Sequence, residues 1–213
     1  MGFAERAADR PIRPARQRSQ DEVDALIAAA MTVLTHKGAE ELTVADVLAE
    51  ASLSTRAFYR HFRSKDELLL AIYERDSRHS VERLGRRMEA SSPRISLDAW
   101  IDETLLLAYD PKRAERTRVL AAEAKRLQGR YPAGFDAIVA AQLAPLVDLL
   151  ERGRVEGVFP GAEPVTDARL IHALAWAFTE ARLHRDDVVS LADARAHVLR
   201  FCLPALGAGA EDA

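Results

Sequence analysis

Residues 43–62 read TVADVLAEASLSTRAFYRHF, two short amphipathic segments joined by a tight turn. In the first, Val44, Val47, Leu48 and Ala51 fall at the i, i+3, i+4, i+7 spacing that gathers apolar side chains on one helical face. Thr43 stands just before that run, and its hydroxyl predicts an N-cap, able to accept from an orphan backbone N–H. Ala51, Ser52 and Leu53 form the turn, and Ser54 offers a second N-cap. The helix it opens buries Leu53, Phe58 and Phe62 against the first and leaves Thr55, Arg56, Tyr59, Arg60 and Arg63 outside. From Ser54 to Lys65 there are four Lys or Arg and no acid. A short helix with bases and a phenol outside and aromatics inside suits a major groove, where phosphates attract positive charge and base edges need donors. A solvated helical hairpin can carry the same charges, so the flanks decide.

Upstream, Ser19 with Glu22 has the spacing of a capping box, and Val23, Leu26, Ile27, Ala30 and Leu34 form one apolar stripe down to Gly38, a C-cap candidate. Downstream, Ser64 with Glu67 is a second capping box opening a long helix through Leu69, Ile72 and Tyr73 to Val81, Leu84 and Met88. Residues 1–18 hold five Arg (Arg6, Arg10, Arg13, Arg16 and Arg18) against two acids, with Pro11 and Pro14, which predicts a flexible basic arm or an ordinary disordered terminus.

The segment from Ser19 to Tyr73 resembles the N-terminal domain of the TetR/AcrR family of transcriptional regulators. Three stretches carry the resemblance: the amphipathic helix ending in Lys37-Gly38, TVADVLAEA at 43–51, and FYRHFRSKDEL at 58–68. The resemblance implies a DNA-binding domain over 19–66 and a regulatory, ligand-binding and dimerisation domain over 67–213. It further implies that Thr55 and Arg56 approach base edges at the start of the recognition helix, beside its cap Ser54. Thr43, Tyr59, His61 and Lys65 match positions that hold phosphates in the family, and Arg60 lies among them. The partners implied are a double-stranded palindromic operator, a small-molecule effector and a second copy of the chain. Two positions depart from the family pattern: Ser52 stands where Gly is frequent in the turn, and Arg56 where a small residue is frequent.

Ser91-Ser92-Pro93 interrupts the pattern, and longer, more apolar helices follow, expected near 96–109, 112–129, 133–156, 166–184 and 190–206, with Pro111, Pro132, Pro160 and Pro164 between them. Pro145 falls inside one, where it removes a backbone donor and predicts a kink. Gly153, Gly157 and Gly161 are spaced by four, which reads as a helix end with Gly157 as C-cap. No stretch alternates with period two for long enough to form a strand, so the predicted fold is all-α.

Polar residues on otherwise apolar faces of this half are candidates for orienting a ligand: Thr104, Glu123, Gln142, His172 and Thr179, with the aromatics Trp100, Phe135 and Trp176 beside them. Each also fits an ordinary core. The last two helices carry more apolar surface than one face needs, at Leu170, Leu174, Phe178, Leu191, Val198 and Phe201, which fits either an intramolecular core or a two-fold interface between copies.

A net charge of −3 over 213 residues excludes a generally basic nucleic-acid coat, so any DNA contact is local. One cysteine, Cys202, excludes an intrachain disulfide. His36, His61, His79, His172, His184 and His197 include no pair at i, i+3 or i+4, and no nucleotide-binding loop, nucleophile elbow or zinc-protease motif occurs, so neither an enzyme nor a cofactor is expected. With no signal-like apolar segment and no run of 18 apolar residues, the chain reads as cytoplasmic, without a membrane partner. A helical adaptor whose basic helix binds an acidic protein remains the alternative to a DNA reader.

Overall fold

The computed structural model describes residues 12–38, 41–88, 91–184 and 189–208. Among the described residues every regular element is a helix, as the absence of period-two patterning predicts. In chain order they are α1 (Ile12–Lys37), α2 (Val44–Ala51), α3 (Thr55–His61), α4 (Lys65–Met88), α5 (Pro93–Tyr109), α6 (Pro111–Arg130), α7 (Pro132–Val155), α8 (Pro164–His184) and α9 (Leu191–Ala205). They form two compact units, the first ending at Ile72 and the second beginning at Tyr73. The division falls inside α4, whereas the family resemblance implies one at 66/67.

In the first unit α1 packs on α2 and α3, and α2 on α3. Leu26, Ala30 and Leu34 of the α1 stripe are buried together with Leu42, Val47, Phe58, Leu68, Leu69 and Ile72. Phe58 is fully enclosed, its ring centroid 5.8 Å from that of Phe62. Gly38 ends α1 with φ of +80°, its N–H donating to the Leu34 carbonyl. The start of α1 differs from the sequence expectation: the helix already runs at Ile12, so residues 12–18 of the expected arm are helical, and residues 1–11 lie outside the described residues. Ser19 therefore lies within a helix instead of capping one. Gln17 donates to Asp21 and Gln20 to Asp24 across that point, the i, i+4 bonds of a continuing helix, and the Glu22 carboxylate turns to α3 instead of back to its own backbone.

The second unit is built around α5, which touches α6, α7, α8 and α9. Leu97, Trp100, Ile101 and Leu105 from α5 meet Leu146, Leu149 and Leu150 from α7, Ile171 and Ala175 from α8, and Ala194, Val198 and Cys202 from α9. Four helices open on proline: Pro93, Pro111, Pro132 and Pro164. Three of these, Pro111, Pro132 and Pro164, were expected between helices. Proline suits the first helical position because its missing N–H would be unpaired there and its φ is already helical. Asp110 serves two helices, closing α5 with its N–H and capping α6 by accepting from the Lys112 amide at 2.9 Å. Helix α7 continues through Pro145. It is also long and apolar enough, by length and mean hydropathy, to cross a membrane, although it contains no unbroken run of 18 apolar residues. Its Leu143, Leu146, Leu149 and Leu150 instead fill the core of the second unit.

Gly157 leaves α7 with φ of +76°, the left-handed backbone expected of a C-terminal glycine. Gly153 has a different reason. A Cβ there would stand 2.2 Å from Cδ2 of the fully buried Phe159, so the ring occupies the place of a side chain.

Candidate nucleic-acid interface

The turn and the two caps position α3. The Thr43 hydroxyl accepts from the Asp46 amide at 3.1 Å and donates to the Asp46 carboxylate at 2.7 Å, closing the start of α2. At the other end Ser52 holds φ of +52°, and the N–H of Leu53 donates to the Leu48 carbonyl. The left-handed conformation favoured by glycine is thus kept at the position where this chain has serine. Ser54 then caps α3, its hydroxyl accepting from the Ala57 amide at 3.2 Å.

With Ala57 and Phe58 turned in, Thr55, Arg56, Tyr59 and Arg60 lie exposed along the opposite face. Tyr59 is 57% exposed, its ring standing edge-on to Phe58. Arg56 makes no ion pair or hydrogen bond among the described residues, so its guanidinium is free to meet a partner. The remaining predicted residues are engaged. Arg60 Nη1 lies 3.2 and 3.0 Å from the two carboxylate oxygens of Glu22. His61, expected to face phosphate, turns inward with a side chain 8% exposed and Nε2 2.7 Å from Glu22 Oε2. The reason is steric and electrostatic: one turn beyond Phe58, the ring turns toward α1, where the Glu22 carboxylate complements it. That hydrogen bond, with the charge of Arg60, holds the Glu22 carboxyl below its ordinary range. Lys65 donates to the Leu42 carbonyl at 3.1 Å, tying the start of α4 to the loop before α2. Lys37 pairs with Asp46 at 2.8 Å, a bond that lowers the Asp46 pKa and raises that of Lys37.

Glu22 escaped the sequence reading because its spacing to Ser19 offered a simpler role. The available signal was an acid on α1 opposite the one helix that carries no acid.

A profile described as "Bacterial regulatory proteins, tetR family" matches residues 26–72, which span the C-terminal part of α1, both helices of the pair and the first part of α4. Over these residues the chain is similar to the tetR family. The uncharacterized HTH-type transcriptional regulator YvdT of Bacillus subtilis is 27% identical over 92 residues, 43% of this chain and 47% of that relative, so the match spans about half of the relative's length. The fold extends further than the sequence match. A TetR transcription regulator of Haloarcula marismortui is 21% identical with a TM-score of 0.70, covering 86% of this chain and 97% of its own. The regulator FadR of Bacillus subtilis, solved with stearoyl-CoA, is 17% identical with a TM-score of 0.69, covering 85% and 97%. These two solved structures share the helical fold of this chain.

The second unit places the predicted ligand residues unequally. Trp100, Thr104 and Gln142 line one small cavity of about 10 Å³, with Ser80, Val81, Leu84, Glu103 and Leu107. Trp100 is buried and its indole N–H has no partner among the described residues. Glu103, on the same wall, accepts from Arg83 at 2.9 Å and Arg113 at 3.0 Å. The sequence reading missed it, although a carboxylate inside an apolar stretch was the signal that drew attention to Glu123. The other candidates are not at that cavity. Thr179 is fully buried with its hydroxyl 3.0 Å from the Ala175 carbonyl and 3.2 Å from that of Thr104, so it ties α8 to α5. Glu123 accepts from Arg126 at 2.6 Å, and Phe135 packs edge-on to Tyr73. Trp176 stacks on His172 at 6.2 Å, and burial pulls the His172 pKa down. His172 also borders a wider hollow of about 410 Å³ between α7 and α8, lined by Asp136, Val139, Leu143, Val147 and Arg169.

Of the predicted interface residues, Leu170 and Phe201 are exposed, at 61% and 65%. Leu174, Phe178 and Leu191 are half-buried. Val198 is fully enclosed in the core of its own subunit, so it cannot reach a partner. It lies on the inner face of α9 with Ala194 and Cys202, at i−4 and i+4.

Proposed function

We propose that the chain is a DNA-binding transcriptional regulator, acting as a homodimer whose two α3 helices read a palindromic operator and whose second unit receives a small effector. The observation that carries this is α3 itself: a helix capped by Ser54 whose exposed face presents Thr55, a free Arg56 and Tyr59, with no acid of its own. Arg56 is the base reader, because a guanidinium can donate bidentately to guanine in the major groove. Thr43, Tyr59 and Lys65 serve the phosphates, which set register without carrying sequence. In a dimer the two helices would stand about 34–36 Å apart, one turn of DNA. The exposed apolar side chains Val165, Leu170 and Phe201 on α8 and α9 support pairing through those helices.

The cavity beside Trp100 is the effector site in this reading. At about 10 Å³ it has room for a single water, so an effector must widen it by moving Ser80, Val81 and Leu84 of α4. Helix α4 also carries Lys65 in the first unit, and that displacement is the route by which an effector would weaken operator binding. The unpaired Trp100 N–H favours an effector with an acceptor on a mainly apolar body. Stearoyl-CoA, bound by the Bacillus FadR, has that character, and long-chain acyl thioesters are one class to test.

A gel-shift with duplex DNA from the region flanking the protein's own coding sequence, against the same bases scrambled, tests the reading. Tighter binding to the flanking duplex supports it. Equal binding to both duplexes defeats sequence-specific regulation, and no salt-dependent binding to either favours the acidic-partner adaptor.

A further inference from the structure

We propose that Glu22 is an intramolecular stand-in for a DNA phosphate that detains Arg60, so that Arg60 contributes no phosphate contact until the Glu22 charge is removed. The inference rests on the DNA-binding role of α3.

Arg56 and Arg60 are separated by one helical turn and share the exposed face of α3, yet their states differ. Arg56 has no partner among the described residues, whereas Arg60 reaches both oxygens of Glu22. The anion that holds it is itself fixed. His61, with its side chain 8% exposed, sits 2.7 Å from Glu22 Oε2 and sets the carboxylate at the edge of the reading helix. The two contacts are unequal in kind. The His61 contact is part-buried and joins α1 to α3. The Arg60 pair is open, with side chains 54% and 24% exposed, so it can be broken without disturbing the junction of α1 and α3. Glu22 therefore cancels one cation on the reading face and adds a negative charge beside the path of the DNA backbone. It is a positioning residue for that helix and a brake on its affinity.

Glu22→Gln separates the two roles. The glutamine carbonyl can still accept from the His61 ring, so the α1 to α3 junction is retained while the charge holding Arg60 is lost. With a mixed-sequence duplex, the expected result is tighter binding than wild type and a salt slope steeper by about one phosphate contact. Between 200 and 50 mM salt the advantage over wild type should widen by about three- to fourfold. Arg60→Gln alone should leave the wild-type slope unchanged, and in the Glu22→Gln background it should restore it. Thermal melting of each variant confirms that the fold is kept. A Glu22→Gln protein that melts like wild type but shows an unchanged slope, or weaker binding, overturns the proposal. So does an Arg60→Gln protein whose slope falls by about one, because Arg60 would then already be reaching phosphate. If wild type shows no salt-dependent DNA binding, the role of α3 itself is wrong, an outcome distinct from unequal behaviour of the two variants.

Discussion

Replacing Gly153 by alanine puts a methyl group where the structure has an aromatic ring. The new Cβ would lie 2.2 Å from Phe159 Cδ2, 2.9 Å from Cε2 and 3.1 Å from Cγ, all well inside contact distance. Phe159 cannot swing aside into solvent, because it is fully buried in the core of the second unit, and its N–H is held by the Gly153 carbonyl at 3.0 Å. Overpacking of this kind costs about 1–3 kcal/mol or more, against a gain of about 1 kcal/mol for alanine over glycine inside a helix. The net expectation is a loss of about 1–2 kcal/mol, which lowers Tm by roughly 2–8 °C for a chain of this size. Gly85 is the control. It lies inside α4, exposed, with nothing within 4 Å of an added Cβ, so Gly85→Ala should stabilise by about 0.5–1 kcal/mol through helix propensity alone. Thermal unfolding followed by circular dichroism compares the three proteins. If Gly153→Ala melts at or above wild type, the packing of Phe159 against α7 is not as described.

Three further outcomes follow from local chemistry. Ser52 occupies left-handed backbone with φ of +52°, so Ser52→Gly should stabilise the N-terminal unit by about 0.5–1 kcal/mol, read as a rise in its melting temperature; a fall would contradict the strain. Burial, with a smaller contribution from Asp167, pushes the Cys202 thiol up to about 11, so it should resist a thiol reagent at pH 8 in the folded protein and react fully in denaturant; fast labelling of the native protein would contradict its burial. Lys65→Ala should weaken binding to every duplex alike and flatten the salt slope by about one unit, and an unchanged slope would confine Lys65 to its bond with the Leu42 carbonyl.

The N-terminal unit was legible because its signals are local. The hydroxyls of Thr43 and Ser54 cap α2 and α3 within a few residues, and the spacing of Val44, Val47, Phe58 and Phe62 fixes which face turns inward. What the sequence could not show was the fate of polar side chains that look across to another helix. Glu22 suited a capping box with Ser19, and only the packing of α1 on α3 reveals that its carboxylate serves Arg60 and His61, 38 and 39 residues away. The C-terminal half was harder for the same reason. Thr104, Glu123 and Thr179 all read as polar atoms on apolar faces, but their roles depend on neighbours from distant helices. Thr104 borders the cavity, Thr179 is spent between α5 and α8, and Glu123 is held by Arg126. Val198 shows the limit of periodicity for interfaces: spacing marks an apolar face of α9, and only the fold decides whether that face meets its own core or a second copy.

In the proposed function α3 reads base edges through Arg56. Its most direct test is the ratio of affinities for operator and scrambled duplex, measured at one salt concentration for wild type and for Arg56→Ala. The variant is expected to lose about 1–3 kcal/mol on the operator, to lose less on the scrambled duplex, and to relax specificity at a single base pair. An unchanged ratio would mean that Arg56 contributes only charge, and that the reading of bases lies elsewhere.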